Sequence, residues 1–300
     1  MDRNAAKKFI IQNARPIDLA VYQYFFENQS NIKVIEELIK FQNEDGGFGH
    51  ALEPDCFDPH SSPIATNDAI ITLFRVNALE QHLEIVHDIV RYLKSHDSFD
   101  EEKKRWLFAI DSHKDYPHAL WWEKTDDGIH GFNPTMSLAS FMVCYGERTS
   151  LYEDIIKEGF KYLEEHDDVS GDALKCYLLS YELLKNNQII DILDLNDFKQ
   201  LISQRISDAI CKDVEKYGVE YVAMPSDFFA GSYIEFITPQ IKKLIEAEIN
   251  VLGKLQKEDG GFDISWQWGT PYIEFKQARQ WWRPRLTINQ LLFDETVHQL

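Results

Sequence analysis

Apolar residues recur three or four positions apart along most of the chain, which is the spacing of amphipathic α-helices. Segment 32–41 shows it most clearly, since Ile32, Ile35 and Leu38 fall largely on one face. A further N-terminal helix is expected after Pro16. The same period predicts helices at 67–79, 83–95, 135–145, 151–165, 173–185, 197–211, 240–256 and 286–297. Only 107–110 and 217–223 are expected to be short extended pieces, so the pattern predicts an all-α fold.

Two of the turns between these helices share one sequence pattern. Residues 42–48 read QNEDGGF, and residues 256–262 read QKEDGGF. Each is followed by a polar loop and then by a Pro-x-x-Thr segment that begins the next helix, at 63–66 and 284–287. Residues 127–135 contain a weaker third copy. Helical hairpins that recur in this way cannot bury their apolar faces alone, so we expect them to stack around a common axis.

The residue types of the repeat suit a turn between two helices. Its glycine pair can adopt the positive φ that ends a helix, and its phenylalanine can fold back onto the helix ends. Proline and threonine then favour the first turn of the next helix. We therefore interpret the repeat mainly as a hinge. Residues 50–55, which follow the first copy and have no counterpart after the second, are the better place to expect chemistry.

The Gln-x3-Gly-Gly-Phe turns resemble the repeats of the α,α-toroid superfamily, which includes squalene and terpenoid cyclases and the β-subunits of protein prenyltransferases. The segment GGFGHALEPD, at 46–55, resembles a set of bacterial proteins with prenyltransferase/squalene-oxidase-type repeats and no assigned function. The resemblance covers two clear copies and a weaker third. It implies an α/α toroid of about five or six helical hairpins. It speaks more strongly for the fold than for the chemistry.

The catalytic motifs of that superfamily have no clear counterpart in this chain. Squalene-type cyclases use an Asp-x-Asp-Asp acid, and the nearest string here is EHDD at 165–168. Prenyltransferases hold zinc with an Asp-x-Cys pair and a distant histidine. Asp55 and Cys56, followed by His60, are adjacent, which makes it hard for both side chains to face one ion. Nucleotide-binding and hydrolase signatures are also missing. We expect neither a metal nor a cofactor.

The composition narrows the range of partners. A net charge of −19 argues against nucleic acid and anionic membranes, which would repel the chain. Four scattered cysteines indicate no disulfide framework, and the N-terminal segment resembles neither a signal peptide nor a membrane span. These features favour a cytoplasmic protein without membrane insertion. No Gly- or Pro-rich linker divides residues 1–300, so one domain is expected, in an oligomeric state that the sequence leaves open.

The strongest cluster of candidate catalytic residues follows the first repeat. Glu53 and Asp55 flank a proline, which holds the backbone extended and could direct both carboxylates to one opening. With Glu123 or Asp263 they could form an acid/base pair, and His50 could be a general base. The structural alternative is that these acids cap helices and that His50 is an ordinary loop residue.

Candidate substrate-binding residues are mostly tryptophans and arginines. Six of the seven tryptophans form close pairs, whose faces could stack on sugars, isoprenoids or cations, or could plug a cavity. The run 276–285 has four positive charges and leads into the expected start of the final helix, where backbone amides also favour an anion. Its arginines could instead pair with the surplus acids of the chain. The candidates are Trp121, Trp122, Glu123, Asp263, Trp266, Trp268, Arg279, Trp282 and Arg283.

Three classes of function stay open. An enzyme would convert a carbohydrate or an isoprenoid in a central aromatic and acidic cavity, by acid/base chemistry of the hydrolase, lyase or cyclase type. A binding protein would hold a small molecule in the same cavity without turnover. An interaction scaffold would fill the cavity with its own tryptophans. The sequence favours a small-molecule protein of the toroid type over the scaffold.

Overall fold

The computed structural model describes residues 1–300 and is predominantly helical, which confirms the prediction of an all-α chain. Its α-helices are α1 (Arg3–Asn13), α2 (Pro16–Phe26), α3 (Ile32–Leu38), α4 (Pro63–Arg75), α5 (Leu83–Lys94), α6 (Thr135–Tyr145), α7 (Ser150–Glu165), α8 (Gly171–Asn186), α9 (Leu195–Ala209), α10 (Pro225–Phe229), α11 (Pro239–Leu255) and α12 (Phe275–His298). A small antiparallel sheet pairs β1 (Phe99–Asp100) with β2 (Arg105–Trp106). None of the helices combines the length and the apolar composition that crossing a membrane requires.

Residues 107–110 and 217–223 lie in connecting loops and form no strand, and 217–219 form a turn. One expectation about the helices is wrong. The final helix begins at Phe275 and not at 286, so the basic run 276–285 lies inside α12 and not before its N-terminus. Pro284 removes one backbone hydrogen bond, but α12 continues through it, and the proline is buried like Ala278 and Ile288 of the same helix.

The contacts of the chain divide it into two compact units. The terminal unit comprises Met1–Glu37 and Ile206–Leu300, and in it α12 packs against α1 and α10. The central unit comprises Leu38–Arg205, and in it α6 packs against both α7 and α8. Almost every residue of α6 is buried, so this helix forms the middle of the central core. The prediction that residues 1–300 form a single domain stays a prediction.

The two repeat turns fold alike, one in each unit. The side-chain amide of Gln42 donates to the Gly46 carbonyl at 3.1 Å, and that of Gln256 donates to the Gly260 carbonyl at 2.8 Å. Gly46 and Gly260 have φ values of +97° and +92°, a conformation that favours glycine. Both turns are therefore hinges between helices, as the sequence predicts.

A buried amide–hydroxyl hydrogen bond follows each turn. The Phe48 amide donates to Thr66 Oγ1 at 3.1 Å, and the Phe262 amide donates to Thr287 Oγ1 at 2.9 Å. This bond joins the end of each turn to the next helix, at the first turn of α4 and in the middle of α12, and it pairs the buried backbone amide of each phenylalanine.

The third copy of the repeat is placed differently from the expectation. The amide that donates to Thr135 Oγ1 is that of Trp106, at 3.0 Å, and Trp106 and Thr135 are both fully buried. The aromatic residue equivalent to Phe48 therefore lies on β2 and not at Phe132. Sequence comparison missed it because no glycine pair precedes Trp106.

Candidate functional site

Two loops of the central unit meet side by side. We call residues 49–62 the acidic loop and residues 111–123 the tryptophan loop. The Ala119 amide donates to the Asp55 carbonyl at 2.9 Å, and the two loops form a further backbone hydrogen bond next to it. The fold thus brings the predicted catalytic segment next to the segment that contains the first tryptophan pair.

Asp58 is the central carboxylate of this junction. Its side chain is buried, and one of its oxygens accepts hydrogen bonds from the His60 amide at 2.9 Å and from His60 Nδ1 at 2.7 Å. Its other oxygen accepts a hydrogen bond from Ser112 Oγ at 2.5 Å. The acidic loop and the tryptophan loop are therefore linked through one carboxylate.

The contact with Asp58 determines which nitrogen of His60 can accept a proton. An ionised carboxylate only accepts hydrogen bonds, so Nδ1 must be the donor, and in the neutral ring Nε2 then carries the lone pair. Nε2 has no hydrogen-bond partner within the protein, and the side chain is 60% exposed. His60 is thus an oriented base that solvent or a ligand can reach.

A cavity of about 10 Å³ lies beside this histidine, which is roughly the space that one water molecule needs. Its wall combines acid/base side chains with apolar ones. It includes Glu53, Asp58, His60, Ser62, His113, Trp122, Leu52 and Ile64. A water molecule in this space would lie among several groups that can donate or accept a proton.

Two other titratable groups at the cavity are held neutral. Burial lowers the pKa of His113, whose Nδ1 donates to the Trp122 carbonyl at 3.2 Å. Burial also raises the pKa of the Cys56 thiol far above neutrality, so this cysteine is not a thiolate nucleophile. Glu53 and His60 remain as the groups at the cavity that are not enclosed by the protein.

Of the three predicted catalytic residues, only Glu53 lies at the cavity. Glu53 lines the cavity, and its carboxylate accepts a hydrogen bond from the Asp55 amide at 2.9 Å. Asp55 itself is buried and does not line the cavity. His50 is exposed, and its Nε2 contacts Asn43 Oδ1 at 2.8 Å, away from the cavity wall.

Of the predicted binding residues in the tryptophan loop, only one lines the cavity. Trp122 is buried at the cavity and stacks on Phe108, with 4.7 Å between ring centroids. Phe108 stacks in turn on His130 at 4.2 Å, so the cavity is backed by a column of three rings. Trp121 is half-buried and Glu123 is exposed, and neither lines the cavity.

In the terminal unit the predicted arginines pair with carboxylates of the chain. Arg279 Nε donates to Asp263 Oδ1 at 2.9 Å, and Arg283 Nη2 donates to Asp259 at 2.8 Å. Burial alone would raise the pKa of Asp263, but the hydrogen bonds and charge of Arg279, with the charge of Arg283, lower it. These arginines therefore compensate acids of the protein itself.

The remaining predicted tryptophans lie in the same unit and do not line a described cavity. Trp266 contacts the edge of Trp282, with 5.3 Å between ring centroids, and Trp268 is almost fully buried beside Phe275. Their role as substrate-binding residues stays a prediction.

Sequence reasoning missed three of the residues that form the junction: Asp58, Ser112 and His113. It considered His60 only as a zinc ligand. The string Asp58-Pro59-His60 could have indicated the contact between Asp58 and His60, because it places a carboxylate and an imidazole two positions apart in a loop. No local pattern points to Ser112, because it reaches Asp58 only through the fold.

No group of three or more His, Cys, Asp or Glu side chains is arranged to hold a metal ion. Comparison of the chain with family models, with curated proteins and with solved structures found no match. The function is therefore inferred from the residues and their geometry alone.

Proposed function

We propose that this chain is a toroid-type protein that hydrolyses a small-molecule ester, with His60 as the general base. The observation that carries the proposal is the contact of 2.7 Å between His60 Nδ1 and the buried Asp58 carboxylate. A histidine whose Nδ1 is held by a carboxylate presents Nε2 as a base, and the resulting imidazolium is stabilised by that carboxylate.

The neighbouring groups define the rest of the reaction. His60 Nε2 accepts a proton from a water molecule at the cavity, and the hydroxide that forms attacks the ester carbonyl of a substrate above the exposed ring. The imidazolium of His60 then gives this proton to the leaving alkoxide, which departs as the alcohol, and the Glu53 carboxylate, which lines the same cavity, accepts the proton of the carboxylic acid product. Ser112 is a positioning residue, because its hydroxyl is committed to Asp58 and does not face His60.

The toroid architecture is supported by the way each repeat turn meets a neighbouring helix. A Cβ on Gly46 would lie 2.0 Å from the carbonyl oxygen of Asp88, on α5, which is the second helix after the turn. A Cβ on Gly260 would lie 2.4 Å from the carbonyl oxygen of Ala5, on α1. In both copies the glycine therefore lies against a helix other than the two that its own turn connects. Stacked helical hairpins make such contacts with their neighbours.

The size of the cavity favours a second candidate function. A space of about 10 Å³ admits a water molecule but not a carbohydrate or an isoprenoid. A protein whose central unit is filled in this way could serve as a non-catalytic scaffold, or bind a ligand only at the surface around His60.

The test compares four proteins on a panel of p-nitrophenyl esters from acetate to octanoate, with p-nitrophenyl glycosides as a second arm. These are the wild type, His60→Gln, Asp58→Asn and the control His50→Gln, which changes an exposed histidine outside the cavity. We expect ester hydrolysis that falls about 10²- to 10⁴-fold in kcat/KM in His60→Gln and is retained in the control. Equal rates in all four proteins, or no turnover, would favour the scaffold.

A further inference from the structure

The central unit contains a second and much larger hollow, which we call the Arg105 groove. Its volume is about 310 Å³, within the range of small-molecule sites. The residues that line it are Lys103, Arg105, Ile129, Gly131, Phe132 and Tyr162. It shares no lining residue with the cavity at His60, so it is independent of the proposed hydrolysis.

Arg105 is the most informative residue of this groove. Its side chain is only 14% exposed, and its guanidinium lies over the Phe132 ring, 3.6 Å from the centroid. Nη1 donates to the Lys103 and Lys104 carbonyls at 3.0 and 2.9 Å and to Glu158 at 3.3 Å. Burial lowers the pKa of Arg105, so these partners compensate the desolvated cation only in part.

The opposite edge of the guanidinium has no acceptor. Nε and Nη2 of Arg105 form no hydrogen bond within the protein, and neither atom is among the fully enclosed polar atoms that lack a partner. This edge therefore keeps contact with solvent. Two parallel N–H groups of this kind match the two oxygens of a carboxylate.

The surrounding charges select among anions. The Lys103 ammonium is already bound by Asp127 and Arg105 Nη1 by Glu158, so the groove offers a ligand the Nε–Nη2 edge of Arg105 and no free charge. A monocarboxylate can occupy that edge with its two oxygens while it brings only one negative charge. A phosphate dianion would bring a second negative charge close to Glu158 and Asp127 and would be repelled.

The remaining side chains of the Arg105 groove are largely apolar, and ring contacts fix the position of Tyr162. Tyr162 contacts Phe132 at 5.3 Å and stacks on His166 at 3.9 Å between ring centroids. Gly131 has a φ of +55°, and a Cβ there would approach the Tyr162 hydroxyl to 3.0 Å. Ile129 completes a surface on which a flat or aliphatic body can lie.

We propose that the Arg105 groove binds an organic monocarboxylate, with the carboxylate on the Nε–Nη2 edge of Arg105 and the apolar body against the half-buried side chains of Ile129 and Tyr162. The ligand class follows from one free guanidinium edge, its acidic neighbours and an adjacent aromatic wall. Ligands of this kind include aromatic acids and medium-chain fatty acids.

Saturation-transfer NMR on the full chain tests this proposal with benzoate and octanoate as probes, benzamide as the uncharged analogue and inorganic phosphate as the competitor. We expect both carboxylates to bind, benzamide to bind at least about tenfold more weakly, and phosphate at equal concentration to displace neither. Benzamide binding as tightly as benzoate, or displacement by phosphate, would overturn the carboxylate assignment. No binding of either carboxylate would overturn the site itself.

Variants locate the binding on the protein. Arg105→Lys keeps the charge but loses the two-pronged edge, so benzoate affinity should fall about tenfold or more. Arg148→Lys is the matched control, because Arg148 is paired with Glu153 and Asp191 and does not line the groove. If Arg105→Lys does not fold, Tyr162→Leu should still weaken benzoate more than octanoate. The assignment would be contradicted if Arg105→Lys folds and binds benzoate as tightly as the wild type. If only Tyr162→Leu folds, wild-type benzoate affinity in that variant would contradict it.

Discussion

The two repeat turns are nearly identical up to their phenylalanines and differ immediately afterwards. In the first copy Asp45 accepts a hydrogen bond from the Ser61 hydroxyl at 2.7 Å, and the acidic loop follows with Asp58 held by His60 and Ser112. In the second copy Asp259 is bound by Arg283 at 2.8 Å. The carboxylate after that turn, Asp263, is bound by arginine as well.

This difference separates structure from chemistry in a repeated motif. Where fixed guanidinium groups neutralise the acids, the carboxylates serve the fold and are not available to a ligand. Where hydroxyl groups and an exposed histidine bind the carboxylates, as in the acidic loop, the histidine can still exchange a proton with solvent or a ligand. The shared turn builds the scaffold, and the unshared loop after the first copy carries the candidate site.

The largest expected effect concerns what the two turns share. Gly46→Ala and Gly260→Ala should each lower the free energy of unfolding by about 2–5 kcal/mol, because alanine is disfavoured at positive φ and its Cβ would collide with a backbone oxygen. Urea denaturation measures both. Gly253→Ala is the control, since a Cβ there meets nothing within 4 Å and should be neutral or stabilising. Wild-type stability in either turn variant would show that the two turns are not equivalent.

A second effect concerns how each unit holds a buried carboxyl group. Asp58 accepts three hydrogen bonds, whereas Glu248 in the terminal unit accepts a backbone hydrogen bond from the Ser226 amide at 2.9 Å and interacts with the side chains of Ser226 and Gln290. Its other oxygen and Gln290 Oε1 have no donor. Burial raises the pKa of Glu248 to about 8, and a proton on Glu248 would supply the donor that Gln290 lacks.

The sign of the pH dependence follows from that shift. Because the native state binds this proton more tightly than the unfolded chain, its stabilising effect is complete below a pH of about 4.5 and is lost progressively up to about 8. Glu248→Gln should remove this loss and be more stable than the wild type by about 2–4 kcal/mol at pH 8. Urea denaturation at pH 5, 6.5 and 8 measures it, with the exposed Glu246→Gln as the control. Parallel pH profiles of Glu248→Gln and wild type would contradict the account.

A smaller effect concerns the amide–hydroxyl bonds after the turns. Thr66→Val and Thr287→Val keep the side-chain shape but leave the amides of Phe48 and Phe262 buried without an acceptor, which should cost about 1–3 kcal/mol each. Thr72→Val is the control, because its hydroxyl bonds only to the Asp68 carbonyl within α4. Thermal denaturation of the three variants shows whether the copies respond equally. A change confined to one copy would mean that only that copy depends on the bond.

The sequence predicted what depends on local pattern. Helical periodicity placed α6 at its observed bounds, and the glycine pair predicted both turns, because 3.6-residue spacing and positive φ are properties of short segments. Pro284 misled the prediction of α12, since proline favours the first turn of a helix but lies in the interior of this one. Trp106 was missed as an equivalent of Phe48 because only its hydrogen bond to Thr135 reveals the relation.

The candidate site was predictable only in part, because contacts between distant segments are not encoded in a local pattern. The sequence indicated the acidic loop and Trp122 separately, and Glu53 and Trp122 do line one cavity. The contact of Ser112 with Asp58 spans 54 positions and depends on two loops that meet through backbone hydrogen bonds. No periodicity or motif indicates that two distant loops will contact each other. The sequence therefore predicted Glu53 and Asp55 and not Asp58, the carboxylate that accepts three hydrogen bonds.

The central claim is that Asp58 orients His60 as a base, and the tautomer of His60 tests it most directly. Nitrogen-15 NMR of the histidine rings at a pH of about 8.5, where imidazole is neutral, distinguishes the two ring nitrogens. The account predicts that His60 carries its proton on Nδ1, with Nε2 unprotonated, and that Asp58→Asn abolishes this preference. A His60 ring protonated on Nε2 in the wild type, or one unchanged by Asp58→Asn, would contradict it.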